Sequence, residues 1–206
     1  MVAKSKYMIQ AQFFVAKNLT NLYNVGMNIK MSKITDLYDT MHKCHVQTVN
    51  YFASFFGCSF PEHDADKIQE PHKIDYAYEM YKRCFPDFNL PDKYSEQLKA
   101  LKQQHYKKSP HHINHYSNVS EIPNTCLYEM ISDWAAANFA LRNIAKNTNV
   151  PALEKWFDET MAQLPWTKSQ IDLIKKSFRI IQNKTDEKKL NLIWQDLVKS
   201  IQNIQK

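Results

Sequence analysis

Two glycines in 206 residues constrain this chain more than any other feature. Roughly 7% is usual. Gly26 and Gly57 stand far apart, so the chain has no glycine-rich phosphate loop and no GxGxxG turn. P-loop and dinucleotide-binding folds need several glycines together, because only a residue without a Cβ lets the backbone close on a phosphate. Asn-Gly and Asp-Gly are also absent, which removes the commonest two-residue hairpin turns. A chain so short of turn formers reads as helical.

Hydrophobic spacing predicts helices over 6–24, 32–56, 73–84, 92–108, 125–146, 151–163, 167–182 and 186–204. A further short helix is expected after Pro61. Ser32 is a candidate cap for the second helix, and Gly26 and Gly57 are candidate stops. The stripe of that helix is Ile34, Leu37, Met41, Cys44, Thr48, Val49, Phe52 and Phe56. Thr167-Lys-Ser-Gln170 has the spacing of a capping box. Pro110 opens a long irregular stretch over 109–124, a length that is often functional. The length suits one domain overall. The expected parts are an N-terminal helical extension (1–30), a core (31–148) and C-terminal helices packed on that core (149–206).

Composition excludes several classes. Lys and Arg number 27 against 21 Asp and Glu, a net charge of +6. That permits weak attraction to nucleic acid or to an anionic substrate. The four cysteines form no CxxC pair, which argues against a zinc ribbon and for reduced thiols in the cytoplasm. No stretch reaches the 18 apolar residues that a membrane span needs. Gln10 and Gln12 interrupt the apolar run near the N-terminus, which argues against a signal peptide.

The histidines carry the chemistry. His45 lies four residues after Met41 and four before Val49, on the buried stripe, with His42 at its edge. His105 lies four residues after Leu101, again on an apolar face. Asp133 shares a face with Ala136, Ala137 and Ala140, small residues that leave room for a ligand. A carboxylate on an inward face needs a partner, because an unpaired buried charge is unfavourable. His63-Asp64 and His111-His112 fall between these helices. Taken singly, each has a plainer reading: a core histidine, a helix-capping Asp64, a Lys67 that only pairs with it, a polar loop. Together, imidazoles and carboxylates in this order suit Mn, Fe, Co, Ni or Zn better than Ca or Mg alone. His72 and His115 read as structural or surface residues.

The order H…HD…H…HH…D resembles the HD superfamily of helical metal-dependent phosphohydrolases. It also looks like a narrower family of bacteria, phages and large viruses, a domain of unknown function marked by HxxLV, HDxSK, HHxxNPHH and EMxxDW. Here these stand as His45-Val-Gln-Thr-Val49, His63-Asp-Ala-Asp-Lys67, His105-Tyr-Lys-Lys-Ser-Pro-His-His112 and Glu129-Met-Ile-Ser-Asp-Trp134. Trp166-Thr-Lys-Ser-Gln170 is similar to the closing helix of that family. The resemblance spans about residues 34–182. Asp66 stands in place of the usual serine, Gln104 where a first histidine is common, Ser109 in place of asparagine, and Asn114 near an expected acidic residue.

The resemblance implies an all-α, HD-like helical bundle with additional N- and C-terminal helices. It implies metal-assisted hydrolysis of a nucleotide or another phosphoester. His45, His63, Asp64 and Asp133 would converge from three helices on one ion. His105 with His111 or His112 would hold a second, with Asp64 bridging. Of that adjacent pair at most one is expected to join, and His112 is favoured. Asp64, Lys67 and Glu129 would act in catalysis: Lys67 steadying a phosphate or tethering Asp64, Glu129 orienting a ligand histidine. The expected partner is a small phosphorylated substrate. A non-catalytic binding module on the same scaffold and a di-iron oxygenase are the rival readings.

Overall fold

A computed structural model of the chain describes residues 31–84, 92–145 and 147–204. Among these residues are seven α-helices and no strand: α1 (Met31–Ala53), α2 (His72–Cys84), α3 (Asp92–Lys108), α4 (Asn124–Phe139), α5 (Leu153–Thr160), α6 (Lys168–Lys184) and α7 (Glu187–Ile204). The class is all-α, as expected. The helix expected over 6–24 and its stop at Gly26 lie outside the described residues.

The central helix is α1. It buries Ile34, Leu37, Tyr38, Cys44, Val49 and Phe52, residues whose three- and four-residue spacing stacks them on one side. Helices α2, α4 and α7 all pack against it. Its end falls where the sequence placed it. A 3₁₀ turn over Ser54–Phe56 leads into Gly57 at φ 70°, whose N–H bonds the Ser54 carbonyl. A left-handed residue closes a helix, and glycine takes that conformation without a Cβ clash. Ser32 is not the cap. It lies inside α1, and its carbonyl accepts from Thr35 Oγ1 at 2.9 Å.

The later helices fasten onto this centre. Thr167 and Gln170 form the capping box at the start of α6. Leu190, Trp194, Leu197 and Ile201 line the buried face of α7. The Trp194 indole donates to Thr48 Oγ1 at 2.8 Å and pins α7 to α1. The buried Gln170 side chain donates to the carbonyls of Val119 and Ile122, which anchors the 109–124 stretch to α6. That stretch holds only two 3₁₀ turns, Ile113–His115 and Val119–Glu121.

Three boundaries differ from the spacing. Helix α4 passes at Ala140 into a π-helical turn, Ala140–Ile144. Helix α5 stops at Thr160, and the chain turns so that the Trp166 indole reaches the Met161 carbonyl. The segment after Pro61 is a 3₁₀ helix, Ala65–Ile68, preceded by Asp64 in the left-handed region at φ 60°. A residue in that conformation cannot continue a right-handed helix. No described helix is long and apolar enough to cross a membrane.

Candidate metal centre

The centre is built around Asp64. Its left-handed backbone is rare for a residue other than glycine, although aspartate tolerates it better than most. The conformation belongs to the turn between α1 and α2, and it turns the carboxylate inward, where Asp64 is 7% exposed. The side chain makes no helix-capping bond, so the plainer reading of Asp64 fails. His42 Nε2 donates to the Asp64 carbonyl at 3.2 Å and holds the turn from α1.

The two carboxylate oxygens face different neighbours. On the Oδ2 side stand His45 from α1, His63 from the turn and Asp133 from α4. His45 Nε2 lies 3.1 Å and His63 Nε2 3.6 Å from Asp133 Oδ1. The same two nitrogens lie 4.0 and 3.7 Å from Asp64 Oδ2. These four residues come together from two helices and a turn, not from three helices. The difference follows from the left-handed Asp64, which no right-handed helix can run through; only a 3₁₀ turn follows it.

On the Oδ1 side stand His105 from the last turn of α3 and both loop histidines. His105 Nε2 is 3.1 Å and His111 Nε2 3.3 Å from Asp64 Oδ1. His112 Nε2 is 2.8 Å from His105 Nε2. The expectation that at most one of the pair would join is therefore wrong. A tight turn, with the His112 N–H on the Ser109 carbonyl, curls the loop around the carboxylate, so neighbouring side chains reach the cluster from two directions. His115 stays at the surface, its Nδ1 on the Lys107 carbonyl. His72 is half-buried at the start of α2.

Acceptors hold the far nitrogens of these rings. Glu129 Oε1 receives His63 Nδ1 at 3.0 Å and His111 Nδ1 at 3.3 Å. Asp66 receives His105 Nδ1 at 2.8 Å. Each of these three imidazoles is thereby turned with Nε2 toward Asp64, the arrangement that orients ligand histidines. Asp66, which departs from the motif, thus has a partner inside the cluster. Its position two residues after Asp64, opposite an inward histidine, is the signal that was available.

Charge in the cluster is strongly perturbed. Burial raises Asp64, but Lys67, His63, His105 and His111 outweigh it and hold the carboxyl well below its usual range. Asp133 is also held well below, its burial outweighed by His45 and His63. Burial lowers His63, yet Asp64, Asp133 and Glu129 overcome it and raise the ring to about 10. His112 goes the other way, to about 2, through burial and the neighbouring His111. Lys67 is buried with Nζ 2.6 Å from Asp64 Oδ2, and it lies 6.0 Å from the Tyr76 ring centre.

The donor set fits metal ions. The groups Asp64–His105–His111–His112, His45–His63–Asp133 and His63–His111–Glu129 each offer ligand atoms within 4.8 Å of one another. Bonds of about 2.0–2.2 Å place two ligands of one ion about 2.8–3.1 Å apart at a right angle and about 3.3–3.6 Å apart at the tetrahedral angle. The separations above fall at or near those spans. His63 Nε2, His111 Nε2 and Asp64 Oδ1 are buried without a hydrogen-bond partner. Buried polar atoms are normally paired, and these three face the centre of the cluster. A cavity of about 300 Å³ opens beside them, bounded by Glu62, Asp66, Lys108, Ser109, His111 and Glu129.

Fold and site define an all-α protein with a buried His/Asp cluster able to hold metal. The chain belongs to a family of unknown function, DUF5662, whose profile matches residues 31–188. No curated protein and no solved structure matches the chain. The likeness to the HD superfamily therefore rests on the order of the motifs.

Proposed function

We propose that this protein is a metal-dependent phosphohydrolase with an HD-like core, holding two divalent transition-metal ions bridged by Asp64. The observation that carries the reading is the trio of buried atoms without a hydrogen-bond partner, His63 Nε2, His111 Nε2 and Asp64 Oδ1, with the two nitrogens 3.7 and 3.3 Å from the Asp64 carboxylate. His45, His63 and Asp133 would hold one ion with Asp64 Oδ2; His105, His111 and His112 would hold the other with Oδ1. Ions bound there would bring water toward neutral pKa and offset charge building on a phosphoryl oxygen.

The residues divide the remaining work. Glu129 fixes the rings of His63 and His111 through one oxygen. Lys67 tethers Asp64, and its ammonium is the nearest fixed positive charge for a phosphate reaching the Oδ2 side. Lys108 on the rim of the cavity attracts an anionic group. At about 300 Å³ the cavity suits a small phosphorylated molecule, since small-ligand sites begin near that volume.

The test is metal analysis of protein purified without chelator, followed by a phosphatase and nucleotide screen with Mn, Co, Ni, Zn and Fe(II). Two equivalents of metal and hydrolysis of a phosphoester support the reading. Bound metal with oxygen consumption and no hydrolysis favours the di-iron oxygenase. Protein that takes up no metal favours the non-catalytic module and removes the hydrolase.

A further inference from the structure

We propose that Asp66 is a positioning residue for one half of the centre: it holds His105 so that the imidazole-rich side of Asp64 binds its ion tightly, and it leaves the other half alone. The proposal rests on the two-ion reading above.

The geometry is specific to one nitrogen. His105 Nδ1 lies 2.8 Å from Asp66 Oδ2, 3.1 Å from Asp66 Oδ1 and 3.1 Å from Ser109 Oγ. A neutral imidazole carries its proton on one nitrogen and a lone pair on the other. A carboxylate at Nδ1 keeps the proton there. The lone pair then sits on Nε2, which faces Asp64 Oδ1 at 3.1 Å and His112 Nε2 at 2.8 Å. The ring itself is 2% exposed.

The two halves of the centre differ in how their histidines are held. His63 and His111 share Glu129 Oε1. His105 has a carboxylate to itself. No hydrogen bond or ion pair joins Asp66 to His45, His63 or Asp133; its direct hold is on His105, at the Oδ1 side. Ser109 is the second oxygen on the same nitrogen and can accept the proton when Asp66 is gone. Asp66 and Ser109 are also two of the positions where the sequence departs from the motif it resembles, and both departures meet at this one atom. Asp66 is half-exposed and lines both the 300 Å³ cavity and a second of about 130 Å³, so the position is open to substitution without opening the core.

The experiment titrates Mn(II) into the full chain by calorimetry and follows it by electron paramagnetic resonance. The proteins are wild type, Asp66→Ala, Asp66→Asn, Asp66→Ala with Ser109→Ala, and Asp133→Asn. The wild type should bind two ions and show an exchange-coupled pair. Asp66→Ala should weaken one of the two ions about ten- to hundredfold, the usual effect of removing a partner of a ligand histidine, and leave the other unchanged. At one equivalent its spectrum should become that of an isolated ion. The double variant should lose more than the single one, and Asp66→Asn, which keeps an acceptor oxygen, should recover part of the loss. Asp133→Asn should weaken the opposite ion. Two ions bound by Asp66→Ala with wild-type affinity would overturn the role of Asp66 alone; so would an equal loss of both ions. A wild type that binds no Mn(II), with Co, Ni and Zn equally unbound, would instead overturn the two-ion reading.

Discussion

Lys67 Nζ lies 2.6 Å from Asp64 Oδ2 with both side chains buried, while Asp64 Oδ1 has no hydrogen-bond partner. The central carboxylate is thus paired with an ammonium on one oxygen and faced only by the imidazole nitrogens of His105 and His111 on the other. Breaking a buried pair by removing one partner leaves an uncompensated charge, at about 3–5 kcal/mol. That asymmetry shapes what substitutions in the centre should do.

Asp64→Asn should abolish binding of both ions and all metal-dependent hydrolysis. Asparagine also tolerates the left-handed backbone, so the turn itself is preserved. The metal-free protein should nevertheless lose about 3–5 kcal/mol, because Lys67 is stranded in the interior. Adding Lys67→Met should restore most of that stability and none of the metal binding. Denaturant melts with chelator, alongside metal analysis, read the two effects separately. Retention of both metals by Asp64→Asn would remove the bridging role.

Lys67→Ala should separate stability from metal binding in the opposite sense. Without the ammonium, Asp64 is an unpaired buried carboxylate in the metal-free protein, and the melting temperature should fall by about 2–4 °C per kcal/mol lost. Metal should still bind and should raise the melting temperature by more than it does in the wild type. Turnover of any phosphorylated substrate should fall. Scanning calorimetry with and without Mn(II), together with a rate measurement, checks all three outcomes.

Glu129→Gln should weaken both ions together, since one Glu129 oxygen holds a ring on each side of Asp64. An effect of about ten- to hundredfold on each is expected. A titration in which only one ion weakens would show that the shared oxygen serves a single ring.

Two opposite pH dependences should appear in the metal-free protein. His63 is raised from 6.5 to about 10. Its contribution to stability is present in full below pH 6.5 and is lost as pH rises through about 10. Glu129 is raised by burial but brought down to about 2 by His111 and His63. Its contribution is present above pH 4.5 and is lost as pH falls through about 2. A metal ion requires neutral imidazole, so binding at neutral pH should release the His63 proton, and the loaded protein should show no alkaline decline from this ring. Melting temperature against pH, with chelator and with Mn(II), gives the first comparison. Calorimetry in buffers of different ionisation enthalpy counts the protons released.

The amino-acid sequence by itself determined the helical class, through two glycines and the three- and four-residue spacing of stripes such as Ile34–Leu37–Met41. It also determined local events that depend on a few neighbouring residues: the Gly57 stop and the Thr167–Gln170 capping box. These are short-range physics, set by the backbone preferences and hydrogen bonds of adjacent residues. It marked His45, His105 and Asp133 as inward-facing, because a polar residue on an apolar stripe is conspicuous.

Only the tertiary structure decided which of these polar residues meet, and through which atoms. Asp64 divides its oxygens between α1 and α4 on one side and α3 with its loop on the other, a geometry fixed by packing across the chain. The same packing delivered His111 beside His112, put the Asp66 carboxylate on His105, and made Glu129 common to His63 and His111. None of this has a sequence period. A side chain's partner far along the chain depends on how the helices stack, and its reach depends on rotamers that the buried neighbours select.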